Sequence, residues 1–405
     1  MGFREPGKWW VSPSDYAPEA TKDFHFPEHI DILDTTLRDG EQEPGIVFTK
    51  EDKIAIAKKL DAAGVQRIEA GTPATSDEDA AAIKAICELG LNAKIYCFVR
   101  NIKSDMDLAK SCGVYGVLCE VPGSEHMLKG GMKWTAEKAI AAACESTSYA
   151  HELGLSVTFF PADGSRADLD FLCNTLNAII NGGGYVDSIV LVDTFGAFSP
   201  EGAAYTVKEL LRRVGKPVEA HFHEDFGLSI ATTIAALKAG ACCAHVTVNG
   251  IGERAGSCPL EPLVMSLLCL YGIDTGVDPG KLLDLSHEVA VRSQKPVPPT
   301  KAIVGSRLFG WETGLPVGYW KSCKDIDPLI MLPYSWNMTG QNEPHIYIGK
   351  KSGAANVALY NERLGLPPIE DKDTVKRLLN KIKKLAIEKK RDLTDEEYLK
   401  LYHEL

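Results

Sequence analysis

The chain has 405 residues, 45% of them hydrophobic and 24% charged, and a formal net charge of -11. That acidic balance excludes a nucleic-acid binder working through a broad basic surface, and no apolar run reaches the length of a membrane span. The length suits one large domain of roughly 250 residues plus a smaller one.

The stretch Met1–Tyr16 is rich in Trp, Pro and charge and lacks the apolar core of a signal peptide, so the expected location is the cytoplasm. The 11 cysteines are odd in number, with no Cys-x-x-Cys pair, and several (Cys97, Cys119) lie in apolar runs. They read as buried, reduced thiols.

Residues 1–28 read as an N-terminal arm. A rhythm then begins in which short β-branched or aromatic runs alternate with amphipathic stretches. The runs Ile32–Leu37, Arg67–Gly71, Lys94–Val99, Gly116–Val121, Ser156–Phe160, Ser188–Asp193, Val218–His223 and His245–Asn249 are expected strands. Helices are expected over Lys50–Ala63, Ser76–Leu89, Met106–Ser111, Thr135–Leu153, Ala167–Asn181, Pro200–Val214 and Leu228–Ala239, several stopping at a glycine such as Gly64, Gly154 or Gly240. Eight such units predict an α/β protein, a (β/α)8 TIM barrel over 29–275. A doubly wound open sheet is the alternative, weakened by the lack of Gly-x-Gly-x-x-Gly after the first strand. Beyond it, 276–345 reads as a linker or lid arm rich in Pro, Gly and Trp, and 346–405 as a helical C-terminal subdomain. In that subdomain Val375, Leu378, Leu379, Ile382, Leu385 and Ala386 form one apolar face, and Thr394 with Glu397 reads as a capping box.

A barrel presents its functional groups at the C-terminal strand ends. His221 and His223, two apart on the seventh strand, point to the same side and form the start of a divalent-metal site. Asp39 after the first strand and Asn249 after the eighth can join them. This mixture of carboxylate, amide and imidazole suits Zn, Mn, Mg or Fe(II).

The stretch Asp34-Thr-Thr-Leu-Arg-Asp-Gly-Glu-Gln42, with His221-x-His223-x-Asp225-x-Gly227 and Asn249-Gly-Ile-Gly-Glu-Arg-Ala-Gly256, resembles the DRE-TIM metallolyase superfamily. Within it, the chain is similar to the isopropylmalate, homocitrate and citramalate synthase branch over roughly residues 30 to 355. Gly349-Lys-Lys-Ser-Gly353 and Pro333-Tyr334 match stretches found past the barrel in these synthases. The resemblance implies a divalent cation (Zn, Mn or Mg) on Asp39, His221, His223 and Asn249, with an α-keto acid chelated to it. Arg38 would stabilise charge on the ketone oxygen, and an acyl-CoA, usually acetyl-CoA, would be the carbon nucleophile. The product would be a 2-hydroxy dicarboxylic acid. Gln42 and Thr194 match positions lining the substrate site, and Arg100, at the end of the third strand, is a further substrate-binding candidate. The corresponding arm in relatives reaches over a partner's barrel mouth, which implies a homodimer with exchanged arms burying Trp311, Tyr319, Trp320 and Trp336.

Two departures stand out. Ala162 occupies a position where the synthases carry a glutamate, and Trp311 and Pro316 replace two histidines. Neither alanine nor proline moves protons, so the acid/base work falls to other residues: Tyr334 and Glu120 first, with His126 and Glu312 also in reach of the argument. A carbon–carbon lyase of the same superfamily is the alternative activity, and a catalytically silent metal-binding relative is a third reading, disfavoured by Arg38.

Overall fold

The computed structural model describes residues 2–405; Met1, the tip of the expected arm, lies outside them. The chain forms two compact units, one spanning residues 17–297 and the other combining the segment ending at Tyr16 with 298–405.

In the first unit the eight expected strands are present: β1 (Asp31–Asp34), β2 (Arg67–Glu69), β3 (Lys94–Arg100), β4 (Gly116–Pro122), β5 (Ser156–Ala162), β6 (Ser188–Asp193), β7 (Val218–Phe222) and β8 (Cys243–Val246). They close into a parallel barrel in which β8 pairs with both β7 and β1. Between them run α1 (Lys50–Ala62), α2 (Asp77–Cys87), α3 (Lys103–Cys112), α4 (Ala136–Glu152), α5 (Leu169–Asn181), α6 (Pro200–Val214) and α7 (Ser229–Lys238), followed by α8 (Leu260–Tyr271) and α9 (Leu282–Ser293). Side-chain caps start these helices where the sequence places Thr49, Ser76, Thr135, Asp168 and Ser199.

The barrel is filled, not hollow. Leu33, Tyr96, Leu118, Phe160, Val190, Val192 and Cys243 form one buried cluster. Burial of each large apolar member stabilises the fold by about 1.5–3 kcal/mol. Among them sits a buried polar network: Arg67 bonds Glu219 (2.8 Å) and Thr158 (3.1 Å), while Ser188 (2.5 Å) and His245 (2.8 Å) also reach Glu219. Burial pushes the Glu219 carboxyl up, but Arg67 and His245 outweigh it and hold it well below the usual carboxylate range.

The unit continues past residue 275, the expected barrel boundary. A break at Pro279–Lys281 hides α9 in the sequence, yet its Leu285 and Val289 are buried, Arg292 pairs with Asp52 on α1 (2.6 Å) and Lys59 pairs with Asp284. The expected arm 1–28 is likewise divided. His25 N–H donates to Lys238 O (2.9 Å) and Phe24 packs on Tyr271, which attaches 17–28 to the barrel.

In the second unit a hairpin of Arg4–Glu5 with Trp9–Trp10 is joined to the chain near residue 334: Trp10 N–H donates to Pro333 O (2.9 Å) and Ser335 N–H to Lys8 O (2.7 Å). Helices α10 (Gly314–Cys323), α11 (Ala354–Leu364), α12 (Lys372–Lys389) and α13 (Asp395–His403) supply most of its mass. Leu378, Ile382 and Ala386 bury the expected face of α12, and Thr394 with Glu397 forms the capping box that opens α13. Trp320 is buried within this unit, between Trp311 (5.2 Å) and Trp336 (6.5 Å), while Tyr319 is exposed. Trp311 and Trp336 themselves are half-buried. All eleven cysteines are free thiols. Among the described residues no helix is long and apolar enough to cross a membrane.

Candidate active site

The site begins where β1 stops. The Asp34 carboxylate accepts from Thr36 N–H (2.9 Å) and Oγ1 (3.0 Å), which ends the strand before the expected Leu37. Thr35 O then accepts from the N–H groups of Arg38, Asp39 and Gly40, folding a tight turn. Lys53 of α1 clamps that turn from below. Its buried ammonium lies 3.3 Å from Leu37 O and 2.6 Å from carboxylate oxygens of both Glu41 and Asp79.

This turn delivers Asp39 to His221 on β7 and to His223, one residue past its end. Ligand atoms of Asp39, His221 and His223 all lie within 4.8 Å of one another, and all three residues are buried. His223 donates through Nδ1 to Gly256 O (3.1 Å), which leaves Nε2 facing Asp39 Oδ1 at 3.8 Å. His221 Nδ1 is buried without a hydrogen-bond partner. Burial, then the neighbouring His223, Arg38 and His245, hold His221 well below the usual imidazole range, in the neutral form that coordinates metal. Two imidazoles, one of them with an orphaned ring nitrogen, and one carboxylate fit a borderline or hard divalent cation.

Ser257, which the sequence reading passed over, completes the surroundings of Asp39: its hydroxyl donates to Oδ2 at 2.5 Å. Glycine brings that loop close. A Cβ on Gly256 (φ +92°) would lie 1.9 Å from Gly250 O, and one on Gly252 (φ +150°) would lie 3.2 Å from Asp39 Oδ2.

Arg38 lies beside the triad. Its Nε donates to Glu69 (2.8 Å), Nη1 lies 3.4 Å from both Asp39 Oδ1 and Gln42 Oε1, and Nη2 is buried with no partner. Its guanidinium stacks on Phe98 (4.5 Å), and Phe160 is 5.6 Å away. Burial pushes Glu69 up to about 7 despite Arg38. Glu120, at the end of β4, is also raised by burial, with Arg38 acting against the shift.

Other expected residues are placed differently. The Asn249 side chain is engaged by Ser286. The backbone bends at φ 61°, its Nδ2 donates to Ser286 O (2.9 Å), and its Oδ1 accepts from Ser286 Oγ (2.5 Å). Asn249→Ala is therefore expected to leave metal content unchanged in elemental analysis and to lower stability by about 1–3 kcal/mol in denaturant unfolding. Arg100 is exposed and bidentate to Asp105 (2.9 Å for each bond), a surface ion pair and not part of the cluster. Gln42 is exposed at its edge. Thr194 acts as a loop tie, its Oγ1 accepting from Asp163 N–H (2.7 Å). Glu312 is occupied in the second unit, where its carboxylate accepts from Lys351 N–H (2.7 Å) in the Gly349–Gly353 loop. Tyr334 belongs to that same unit, edge-on to Phe309 at 5.6 Å. A second buried group, Glu219, Cys243 and His245, has ligand-like spacing, but Arg67 already neutralises its carboxylate.

The family model described as HMGL-like matches residues 29–289. A homocitrate synthase of Methanothermobacter thermautotrophicus is 37% identical over 97% of both chains. A probable 2-isopropylmalate synthase of Ignicoccus hospitalis is 40% identical over 89% of both. An (R)-citramalate synthase of Methanocaldococcus jannaschii is 41% identical over 80% of this chain and 65% of its own. With a DRE-TIM barrel that brings Asp39, His221 and His223 together and relatives of this kind across its length, the chain belongs to the HMGL-like family, in the branch of homocitrate, isopropylmalate and citramalate synthases.

Proposed function

We propose that this protein condenses an acyl-CoA, acetyl-CoA in the first instance, with an α-keto acid to give a 2-hydroxy dicarboxylic acid. The observation that carries the reading is Arg38 Nη2, a buried donor without a partner beside the Asp39–His221–His223 group. A free guanidinium donor at that place suits an oxygen on which charge develops. Asp39, His221 and His223 would hold a divalent cation, whose chemistry there is polarisation of the ketone. Arg38 receives the negative charge on the ketone oxygen, and Glu69 fixes the guanidinium by its Nε. The apolar wall of Phe98 and Phe160 excludes water from that charge. Glu120, raised by burial with Arg38 acting against the shift, is the candidate within the barrel for proton transfer. Incubation with acetyl-CoA and pyruvate, 3-methyl-2-oxobutanoate or 2-oxoglutarate tests the reading. Thiol release that depends on one keto acid is the expected result. Cleavage of a 2-hydroxy acid or a 3-hydroxyacyl-CoA, without any condensation, would favour the lyase alternative.

The working form is a homodimer in which the segment after the barrel serves the partner's mouth, and Tyr334 is the group it brings. Its phenol would protonate the nascent alkoxide. Sedimentation of a stable monomer at micromolar concentration would refute the dimer. Tyr334→Phe keeps the ring and removes the hydroxyl; kcat is expected to fall by about tenfold or more with little change in KM. Turnover within about twofold of wild type would exclude the hydroxyl from proton transfer.

A further inference from the structure

At the barrel mouth, β4 and β5 run side by side, with Pro122 opposite Ala162; Ser124 follows β4 after Gly123, and Asp163 follows β5 directly. Asp163 follows β5, three residues beyond Phe160, whose ring faces both Arg38 (5.6 Å) and His221 (5.1 Å). Asp163 is completely buried and held at φ 61°, a conformation that aspartate tolerates better than most residues. Each of its polar side-chain and donor atoms is fixed. The N–H donates to Thr194 Oγ1 (2.7 Å), Oδ1 accepts from Arg166 Nε (2.6 Å), and Oδ2 accepts from Ser124 Oγ (2.7 Å). Burial pushes this carboxyl up, and the bonds from Arg166 and Ser124 more than reverse the effect, so it is ionised.

On this fixed anion sits one more group. His126 Nε2 lies 2.7 Å from Asp163 Oδ2, and the imidazole is 55% exposed. Asp163 already ties three loops together through Thr194, Arg166 and Ser124, so the tie itself needs no histidine. What the contact adds is a defined ring orientation: Nε2 faces the carboxylate, with Ser124 Oγ also 3.2 Å away, and Nδ1 is on the other side of the ring. A buried carboxylate orienting a neutral imidazole is the arrangement that makes a general base and stabilises the imidazolium it becomes.

We propose that His126, oriented by Asp163, is the base that takes the α-proton of the acyl-CoA. The proposal rests on the condensation reading above. Nδ1 accepts the proton, and the C–H electron pair becomes that of the enolate. This pair forms the bond to the ketone carbon while the carbonyl π pair moves to oxygen, where the alkoxide takes a proton from Tyr334. Water then cleaves the C–S bond to release carboxylic acid and thiol, and His126 and Tyr334 re-equilibrate with solvent. His126 is the catalytic residue and Asp163 a positioning residue.

The experiment compares the full-length wild-type protein, loaded with Mn, with His126→Gln, His126→Ala and Asp163→Asn, following thiol release. Asparagine keeps the tolerance for positive φ at residue 163. For His126→Gln, kcat is expected to fall by on the order of a hundredfold, with KM values and Mn content near wild type. Added imidazole should restore part of the His126→Ala rate, and Asp163→Asn should lower kcat while keeping KM. His126→Gln within about twofold of wild type, or a loss that imidazole does not relieve and that comes with raised KM, would overturn the proposal. A wild-type protein that releases no thiol with any keto acid would overturn the condensation reading and this proposal with it.

Discussion

His221→Ala and His223→Ala are each expected to abolish metal retention and turnover together. The triad offers three protein donors, of which His221 is on one short strand and His223 one residue past its end. Loss of one should weaken metal affinity by more than about a hundredfold, the upper end of what losing a mere supporting partner costs. Stability provides an independent readout, because a ligand at about a hundred times its Kd stabilises the folded state by about 2.7 kcal/mol. Addition of metal should therefore raise the thermal midpoint of the wild-type protein and leave that of either variant unmoved. Full metal occupancy in either purified variant, measured by elemental analysis, would refute the assignment. Asn249→Ala serves as the contrast, since its amide is engaged by Ser286.

Arg38→Ala is expected to cut turnover by on the order of a hundredfold or more while the protein stays folded. Lysine should rescue poorly, because the guanidinium divides its work: Nε holds Glu69 while Nη2 remains available. The fold should survive because Glu69 can neutralise itself. Burial already raises this carboxyl to about 7 with Arg38 acting against the shift; without Arg38 it rises further and carries a proton at neutral pH. The sign of the pH dependence follows. A carboxyl with a raised folded-state pKa binds more protons folded than unfolded, so its contribution is lost as pH climbs from its unfolded value near 4.5 toward its folded value. Arg38→Ala should thus lose more stability than wild type between pH 5 and pH 8 in denaturant titrations. A near wild-type rate for Arg38→Ala would remove the catalytic role.

The strands were readable because a barrel strand buried on both faces leaves a short apolar run, and Ser188–Asp193 is such a run. His221 and His223 were readable for a related reason: strand alternation alone puts both on one side. Asn249 was not, because its direction depends on a single left-handed backbone position in a glycine-rich loop, and nothing in the local residue types specifies Ser286 as its partner. Ser257 was missed because an isolated serine carries no periodic signal; only the loop's closure against Asp39 gives it meaning. For Arg100 the signal was present and unread. Asp105 lies five residues on, at the start of α3, where it can bend the arginine back to the surface. The edge of the barrel unit was hidden by Pro279 and Gly280, which interrupt the helical pattern just before α9.

Asp39 follows the first strand of the barrel, and His221 and His223 lie at the end of the seventh, so the three donors meet only when β8 has joined β7 to β1. During synthesis the carboxylate emerges long before the histidines, and a partly made chain has nothing with which to trap the ion. Metal capture at these residues would therefore be a report of ring closure. An ion held by these residues would act as a late latch across the seam between the two ends of the sheet, selecting chains that have already finished their topology.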